Sequence, residues 1–449
     1  MPESQSELPR VLNASHATSI VVGIIIGSGI FLVPREMMAA VGSSHGVYAV
    51  WIVGGLLSLF GAMTYAEIAA AHPRYGGEYA FLREAYGDLA GFLYMWTQIT
   101  VSKPASLATI AAGLARVLGT FAVFSSFAQP AFAHLYWGQI FAIAMTWLIA
   151  GLNIIGTRRS ANVQLLLTWL KGLLILVIAG FCFGAGGHHG SWQNLTTEFA
   201  GARGGFSGFM IALVAALWAY DGWSDVVTMA GEVKRPQRSM PVALVGGVAI
   251  VGALYMLTNA SIQYVLPAAA IAAADRPAAY AMQIVAGHWG ATLVSIGMAV
   301  SICATFVGSS LSGARVPFAA ARDGLFFKQL AHVNRRFQTP SAALILQAIL
   351  STLLLLTIGR FQTLFSLAIF SEWFFYALTA STVFVFRHRE STRPYSIWGY
   401  PVLPALFILA AAVLLVFSFA DQPRNSIIGT AIILLGIPLH YMLRRRTTA

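Results

Sequence analysis

The chain has 449 residues, of which 58% are hydrophobic and 10% charged, against about 45 to 50% and about 25% in an ordinary globular domain. That balance excludes a soluble globular protein and predicts an integral membrane protein built of helices. The formal net charge of +11 would suit nucleic acid, but its alternating placement between apolar runs excludes that partner and instead orients the chain in a bilayer.

A helix rises about 1.5 Å per residue, so about 20 apolar residues cross the hydrocarbon. Such runs fall near residues 17–41, 47–71, 89–118, 135–155, 161–184, 205–231, 241–265, 286–320, 339–358, 361–387, 400–420 and 425–443, which predicts twelve spans. With residue 1 inside, nineteen of the 27 Lys and Arg fall on inner connectors and only Arg35, Arg116, Arg203, Arg276, Arg360 and Arg424 on outer ones. This predicts a multi-pass protein of the plasma (inner) membrane with cytoplasmic tails at 1–16 and 444–449. Residues 1–16 are polar and predict no signal peptide.

The first span contains Val22-Gly23-Ile24-Ile25-Ile26-Gly27-Ser28-Gly29-Ile30-Phe31. Its three glycines within seven residues each cost about 1 kcal/mol relative to alanine in a helix. Backbone groups freed at Gly27-Ser28-Gly29 cost several kcal/mol in hydrocarbon unless something binds them, so a break here implies a lined cavity. Small residues also suit close helix packing, and that reading stays open for this stretch alone.

The second span ends in Tyr65-Ala66-Glu67-Ile68, followed by His72-Pro73-Arg74-Tyr75-Gly76-Gly77-Glu78-Tyr79. Pro73 and the glycine pair break the helix, and residues to Tyr86 read as a short amphipathic helix along the inner face. Gly-x-x-x-Gly-Ser-Gly-Ile-Phe in the first span with Ala-Glu-x(5)-Pro-x-x-Gly-Gly-x-Tyr after the second resembles the amino acid-polyamine-organocation superfamily. The chain is most similar there to the L-type amino acid exchangers and their bacterial serine/threonine and alanine/serine relatives. The resemblance implies an all-α fold of twelve transmembrane helices, a LeuT-type five-plus-five inverted repeat with helices 1 and 6 broken. Its halves would be residues 17–184 and 205–387, with 400–443 supplying two further spans for packing or dimer contacts. The implied activity is secondary active transport of amino acids.

In the third span Lys103-Pro104 matches the basic residue and proline of the L-type exchangers. A lysine in hydrocarbon costs about 2.5 to 3.5 kcal/mol on insertion scales, so it faces protein, water or substrate; a structural role at a helix break is preferred over substrate contact. The outer loop 119–134 lacks the cysteine by which animal members attach a heavy subunit, so no disulfide-linked partner is expected and the chain would act as a monomer or homodimer. Lys171 in the fifth span stands where sodium-independent relatives place a lysine in lieu of the cation bridging spans 1 and 8. Its ammonium could supply the same charge with three donors; the bland alternative is a lysine satisfied by a fixed carboxylate.

The sixth span is interrupted at Leu217-Trp218-Ala219-Tyr220-Asp221-Gly222-Trp223-Ser224-Asp225, the position expected of an inverted repeat of the first. Asp221 and Asp225 could bind a cation or tie down freed amides. Where relatives often carry asparagine or another polar residue, Asp225 leaves open a preference for basic solutes. The eighth span ends in Ala321-Arg322-Asp323-Gly324 and offers Ser309 and Ser312 to approach Lys171; Glu372 in the tenth is one more intramembrane charge.

No glycine-rich loop precedes any of the four lysines, which excludes a Walker A site. His188 and His189 lack zinc-site companions, and Gly42-Ser43-Ser44-His45-Gly46 follows a membrane helix rather than a strand, a chance match to a nucleophile elbow. Cys182 and Cys303 read as buried reduced thiols. The chain is therefore expected to be a transporter and not an enzyme, with no cofactor and no metal. The substrate carboxylate is expected at the amides of Ser28 and Gly29 within the stretch Ile25 to Gly29, including Ile26 and Gly27. The ammonium is expected at carbonyls of Ile25, Trp218, Ala219 and Asp221, with Trp218 and Tyr220 as walls and gate and Gly222 at the break. The favoured activity is sodium-independent exchange of neutral amino acids, with proton-coupled uptake or basic amino acid and polyamine antiport as alternatives and a channel or sensor behind them.

Overall fold

The computed structural model describes residues 8–132, 134–184, 189–357, 361–421 and 423–447; His188, Arg360 and the outermost residues of both tails lie outside the described residues. Each of the twelve predicted spans falls on a helix or a group of abutting helices. Among the described residues, eight helices are long and apolar enough to cross a membrane, or nine with the bent pair Ala14–Ile25 and Gly29–Val41.

Bends and short helices shape several spans. The third is divided into Asp88–Thr97, a π-helical turn Gln98–Ser102 and Lys103–Leu118, because Pro104 supplies no amide to the preceding turn and the ladder widens around it. The eighth runs from Pro277 to Gly313, nine residues earlier than its hydropathy suggests, kinks at Ala286 and Gly287, and continues as Arg315–Arg322. The ninth, Ser341–Thr357, is 17 residues long. In the loop after the third span a small hairpin pairs Pro130–Phe132 with Leu135–Tyr136.

The first helix is apolar all round, and nearly every residue from His16 to Ile25 is buried, as expected of a helix enclosed by others. The fifth, Thr157–Gly184, exposes Leu166, Trp169, Leu170 and Leu173 on one side and buries Gln164 and Lys171 on the other. Hydrocarbon-facing leucines thereby aim the lysine at the first helix.

Two expectations are corrected here. The helix Glu78–Tyr86 does not bury a single face: Glu78, Tyr79, Ala80, Phe81 and Leu82 are all buried, because Gly76 and Gly77 at φ +83° and +46° turn the chain back against the bundle. Cys303 is partly exposed rather than buried, whereas Cys182 is buried; both are free thiols.

The same end of the bundle carries several ion pairs. Arg387 clasps Glu67 with two bonds of 2.6 Å. His72 sits 3.4 Å from both Glu84 and Glu390, and the hydrogen bond from His72, with Arg74 and Arg389 nearby, holds the Glu84 carboxyl below its usual range.

Candidate functional site

The first span stops being helical at Ile26, Gly27 and Ser28, and the chain resumes at Gly29 with a bend of 42°. The amides of Ser28 and Gly29 have no backbone partner, as at any helix start. In the sixth span the helix Gly205–Ala219 gives way at Tyr220, Asp221 and Gly222 to a ten-residue 3-10 helix, Trp223–Glu232, every residue of which is buried. Runs of 3-10 helix beyond three or four residues are uncommon, so tertiary packing holds this one.

The two breaks meet. Gly222 is left-handed at φ +99°, and a Cβ on it would lie 2.4 Å from Cγ2 of Ile24. Gly222→Ala is therefore expected to lose about 2 to 4 kcal/mol from left-handed strain and overpacking. Thermal unfolding in detergent reads that loss; an unchanged melting temperature would contradict the contact.

Three neighbours hold the first break open. Lys171 Nζ donates to the carbonyls of Gly23 at 2.7 Å, Ile26 at 2.6 Å and Ser301 at 3.2 Å, which uses all three donors of an ammonium. Ser301 Oγ donates to Ile26 at 2.6 Å and Gly27 at 3.2 Å, and Thr305 Oγ1 to Gly23 and Ile24 at 3.3 Å. From the seventh span Tyr255 OH lies 3.0 Å from the Ile25 carbonyl and 2.7 Å from that of Ala219, tying one break to the other. Tyr255→Phe removes that tie, and net hydrogen bonds of about 1 kcal/mol each predict a several-fold rise in the KM for substrate with expression retained. Radiolabel uptake at graded concentrations tests this; an unchanged KM would refute it.

Sequence reasoning missed Tyr255, Ser301 and Thr305. The available signal was a hydroxyl within an apolar run, which needs an acceptor inside the protein. Ser309 and Ser312, the residues expected near Lys171, lie elsewhere. Eight residues of helix from Ser301 to Ser309 amount to about 12 Å, and Ser312 Oγ instead donates to Asp225 Oδ2 at 2.9 Å.

A cavity of about 610 Å³ opens along the two breaks, within the range of about 300 to 1,000 Å³ usual for small-molecule sites. Ile25, Gly27, Ser28, Gly29, Trp218 and Ala219 line it. Its mouth carries Arg35, Arg116, Arg276 and Asp275, and Arg35 pairs with Asp275. Its floor carries Lys103, Asp221, Asp225, Ser309, Glu372 and Tyr376. Lys103 forms an ion pair with Asp225, Tyr376 OH donates to Asp221 at 2.8 Å, and Glu372 reaches Asp221 and faces Lys103.

Three expected contacts differ. Tyr220 does not wall the cavity: it is 1% exposed, with its ring against Trp51 and Tyr255, because the last turn before the break directs it between helices. Ile26 is fully buried and its carbonyl is taken by Lys171 and Ser301. The Ile25 carbonyl already accepts Tyr255 OH and, at 2.7 Å, the Gly27 amide, so both of its lone pairs are used.

Away from the mouth the path is shut. Arg315 and Glu232, whose side chains are wholly buried, form a two-point pair at 2.8 and 3.1 Å. Arg315 also bonds the Leu311 carbonyl and Thr157 Oγ1. Leu12, from the segment before the first span, pairs with the backbone of Glu232 and Lys234.

The profile of a family described as amino acid permease matches residues 12–442. The chain belongs to the amino acid permease family. This permease is 32% identical over 457 aligned residues, with 99% of each chain covered, to the serine/threonine exchanger SteT of Bacillus subtilis (strain 168). It is 28% identical to the human b(0,+)-type amino acid transporter 1, covering 98% of this chain and 88% of the relative. With the human large neutral amino acids transporter small subunit 2 it shares 28%, covering 97% and 80%. The permease is thus a multi-pass membrane protein of amino acid transport, the family its motifs resemble.

Proposed function

We propose that the permease is a sodium-independent exchanger of neutral amino acids that works by alternating access, with the cavity mouth facing outward and both termini cytoplasmic. The observation that carries this reading is Lys171: its ammonium links the unwound first helix to the eighth, a place where a cation would otherwise be needed to hold the same carbonyls. One relative is named as an exchanger, which supports exchange over net uptake.

In this reading the substrate carboxylate lies on the amides of Ser28 and Gly29, at the positive end of the helix Gly29–Val41, with Gly27 leaving room beneath. The α-ammonium takes the remaining lone pair of the Ala219 carbonyl beside Asp221, Gly222 allows the two breaks to touch, and Trp218 walls the side-chain space. Lys171, with Ser301 and Thr305, sets the inner half of the first helix. The chain works as a monomer or homodimer of two inverted repeats without a disulfide-linked heavy subunit.

One observation favours a second reading. The floor sets the carboxyls of Asp221, Asp225 and Glu372 against Lys103, which suits a solute with a second ammonium and hence basic amino acid antiport. Counterflow in proteoliposomes with labelled serine, leucine, arginine and glutamate, with and without sodium, tests both. Trans-stimulated, sodium-independent flux of serine and leucine supports the first; flux confined to arginine supports the second; uptake indifferent to internal amino acid overturns exchange.

A further inference from the structure

We propose that Glu78 is a proton-binding site of the transport cycle, loaded from the acidic floor of the cavity through the hydroxyls of Tyr376 and Ser224, so that amino acid movement is linked to proton movement. The proposal rests on the substrate cavity placed above but not on the exchange mode.

Glu78 opens the short helix between the second and third spans and is 2% exposed. Tyr94 OH donates to its Oε2, whereas Oε1 is buried without a hydrogen-bond partner. An ionised carboxylate left half-satisfied in a low-dielectric interior is costly, and a proton relieves that cost. The helix's position beneath the bundle, enforced by Gly76 and Gly77, brings this carboxyl under the floor of the cavity instead of into water.

A file of hydroxyls leads from the cavity towards it. Tyr376 OH lies 2.8 Å from Asp221 Oδ1, Ser224 Oγ lies 3.3 Å from Tyr376 OH, and Ser224 adjoins the Glu78 carboxyl. At the other end Asp221 and Glu372 both line the cavity, where a proton can be taken up. Carboxyls thus stand at both ends with hydroxyls between. When one proton passes inward, Ser224 gives its proton to Glu78 and regains one from Tyr376, which regains one from the Asp221 and Glu372 pair. Every hydroxyl ends intact, and no electron changes hands.

The groups facing Glu78 come from four spans: Tyr65 of the second, Tyr94 and Lys103 of the third, Ser224 and Asp225 of the sixth, and Tyr376 of the tenth. Lys103 is engaged by Asp225, so it does not neutralise Glu78, Asp221 and Glu372 as well. Burial is the largest influence on Glu78 and, with the charge of Asp225 against the opposing Tyr94 and Lys103, pushes it up to about 7. The carboxyl is protonated below that pH and ionised above it.

The test uses the full chain in proteoliposomes with a pH-sensitive dye inside and the labelled amino acid from the panel above that shows the highest flux. Wild type is expected to change rate several-fold across a midpoint near pH 7, and the dye is expected to respond when amino acid is added. Glu78→Gln, neutral at every pH, is expected to hold the rate at the low-pH plateau and abolish the dye response. Tyr94→Phe removes a donor that favours the ionised form, so its midpoint is expected to rise by about half a unit or more. A flat wild-type profile overturns the proposal, as does a Glu78→Gln profile and dye response like wild type. If Glu78→Gln fails to fold, an unmoved midpoint in Tyr94→Phe overturns it. The dye reports on net uptake as well as exchange, so a lack of trans-stimulation would sink the exchange reading and still leave the Glu78 outcome legible.

Discussion

Lys171→Ala is expected to leave expression and folding intact while slowing amino acid exchange at least about tenfold, equivalent to about 1.4 kcal/mol in the barrier. The substitution removes a buried cation whose partners are carbonyls, not a carboxylate, so no unpaired charge is left behind to unfold the protein. The Ile26 carbonyl keeps Ser301, and the Gly23 and Ser301 carbonyls keep Thr305, which limits the structural loss to a fraction of the roughly 1 to 3 kcal/mol of each deprived acceptor. What disappears is the three-way link between the fifth span, the inner half of the first and the eighth. A break that drifts among several conformations presents its amides to substrate for less of the time, and the two faces of the carrier open less distinctly. Initial-rate counterflow with equal amounts of reconstituted protein measures the effect; near-normal exchange would remove Lys171 from the mechanism.

The second large effect is expected at Arg315. Its side chain and that of Glu232 are both wholly buried, and its guanidinium serves Glu232, Leu311 and Thr157 at once. Arg315→Leu strands an ionised carboxylate in the interior at a cost of about 3 to 5 kcal/mol, whereas replacing both members of such a pair is far less harmful. The single variant is therefore expected to lose most folded protein in detergent. Arg315→Leu combined with Glu232→Leu is expected to recover a large part of the melting temperature. Recovery should not extend to coupled exchange, because the pair also fastens the end of the sixth span to the end of the eighth on the side opposite the mouth. A double variant no more stable than the single one would show that the pair's charge is not the issue.

The membrane architecture was legible in residue order alone. Apolar run length fixes where a helix can cross hydrocarbon, so all twelve spans could be placed; the glycine cluster at 23–29 announced the first break, and the polar interruption around Asp221 and Gly222 announced the second. Lys103, Lys171, Asp225 and Glu372 announced themselves too, since an ionisable group in an apolar run must have a reason to be there. Their partners were not legible. Lys103 and Asp225 are 122 residues apart and Lys171 and Ser301 are 130 apart, and which turn of one helix faces which turn of another depends on tilt, bend and crossing angle. The misplaced serines show the point: Ser309 and Ser312 are small and polar like Ser301, and only the kink at Ala286 and Gly287 together with the early start at Pro277 decides which of them reaches the lysine. Tyr220 shows it again, as its position in the break suggested a cavity wall while the direction of the preceding turn put it between helices. Sequence by itself determined that the chain is a multi-pass helical protein with two weak points and a set of buried charges, because hydrophobic length and helix propensity are properties of neighbours in the chain. The meeting of the two breaks through Tyr255, the placing of Lys171 against three carbonyls and the burial of Glu78 beneath the cavity were decided by tertiary structure alone, because hydrogen bonds form between atoms that are close in space.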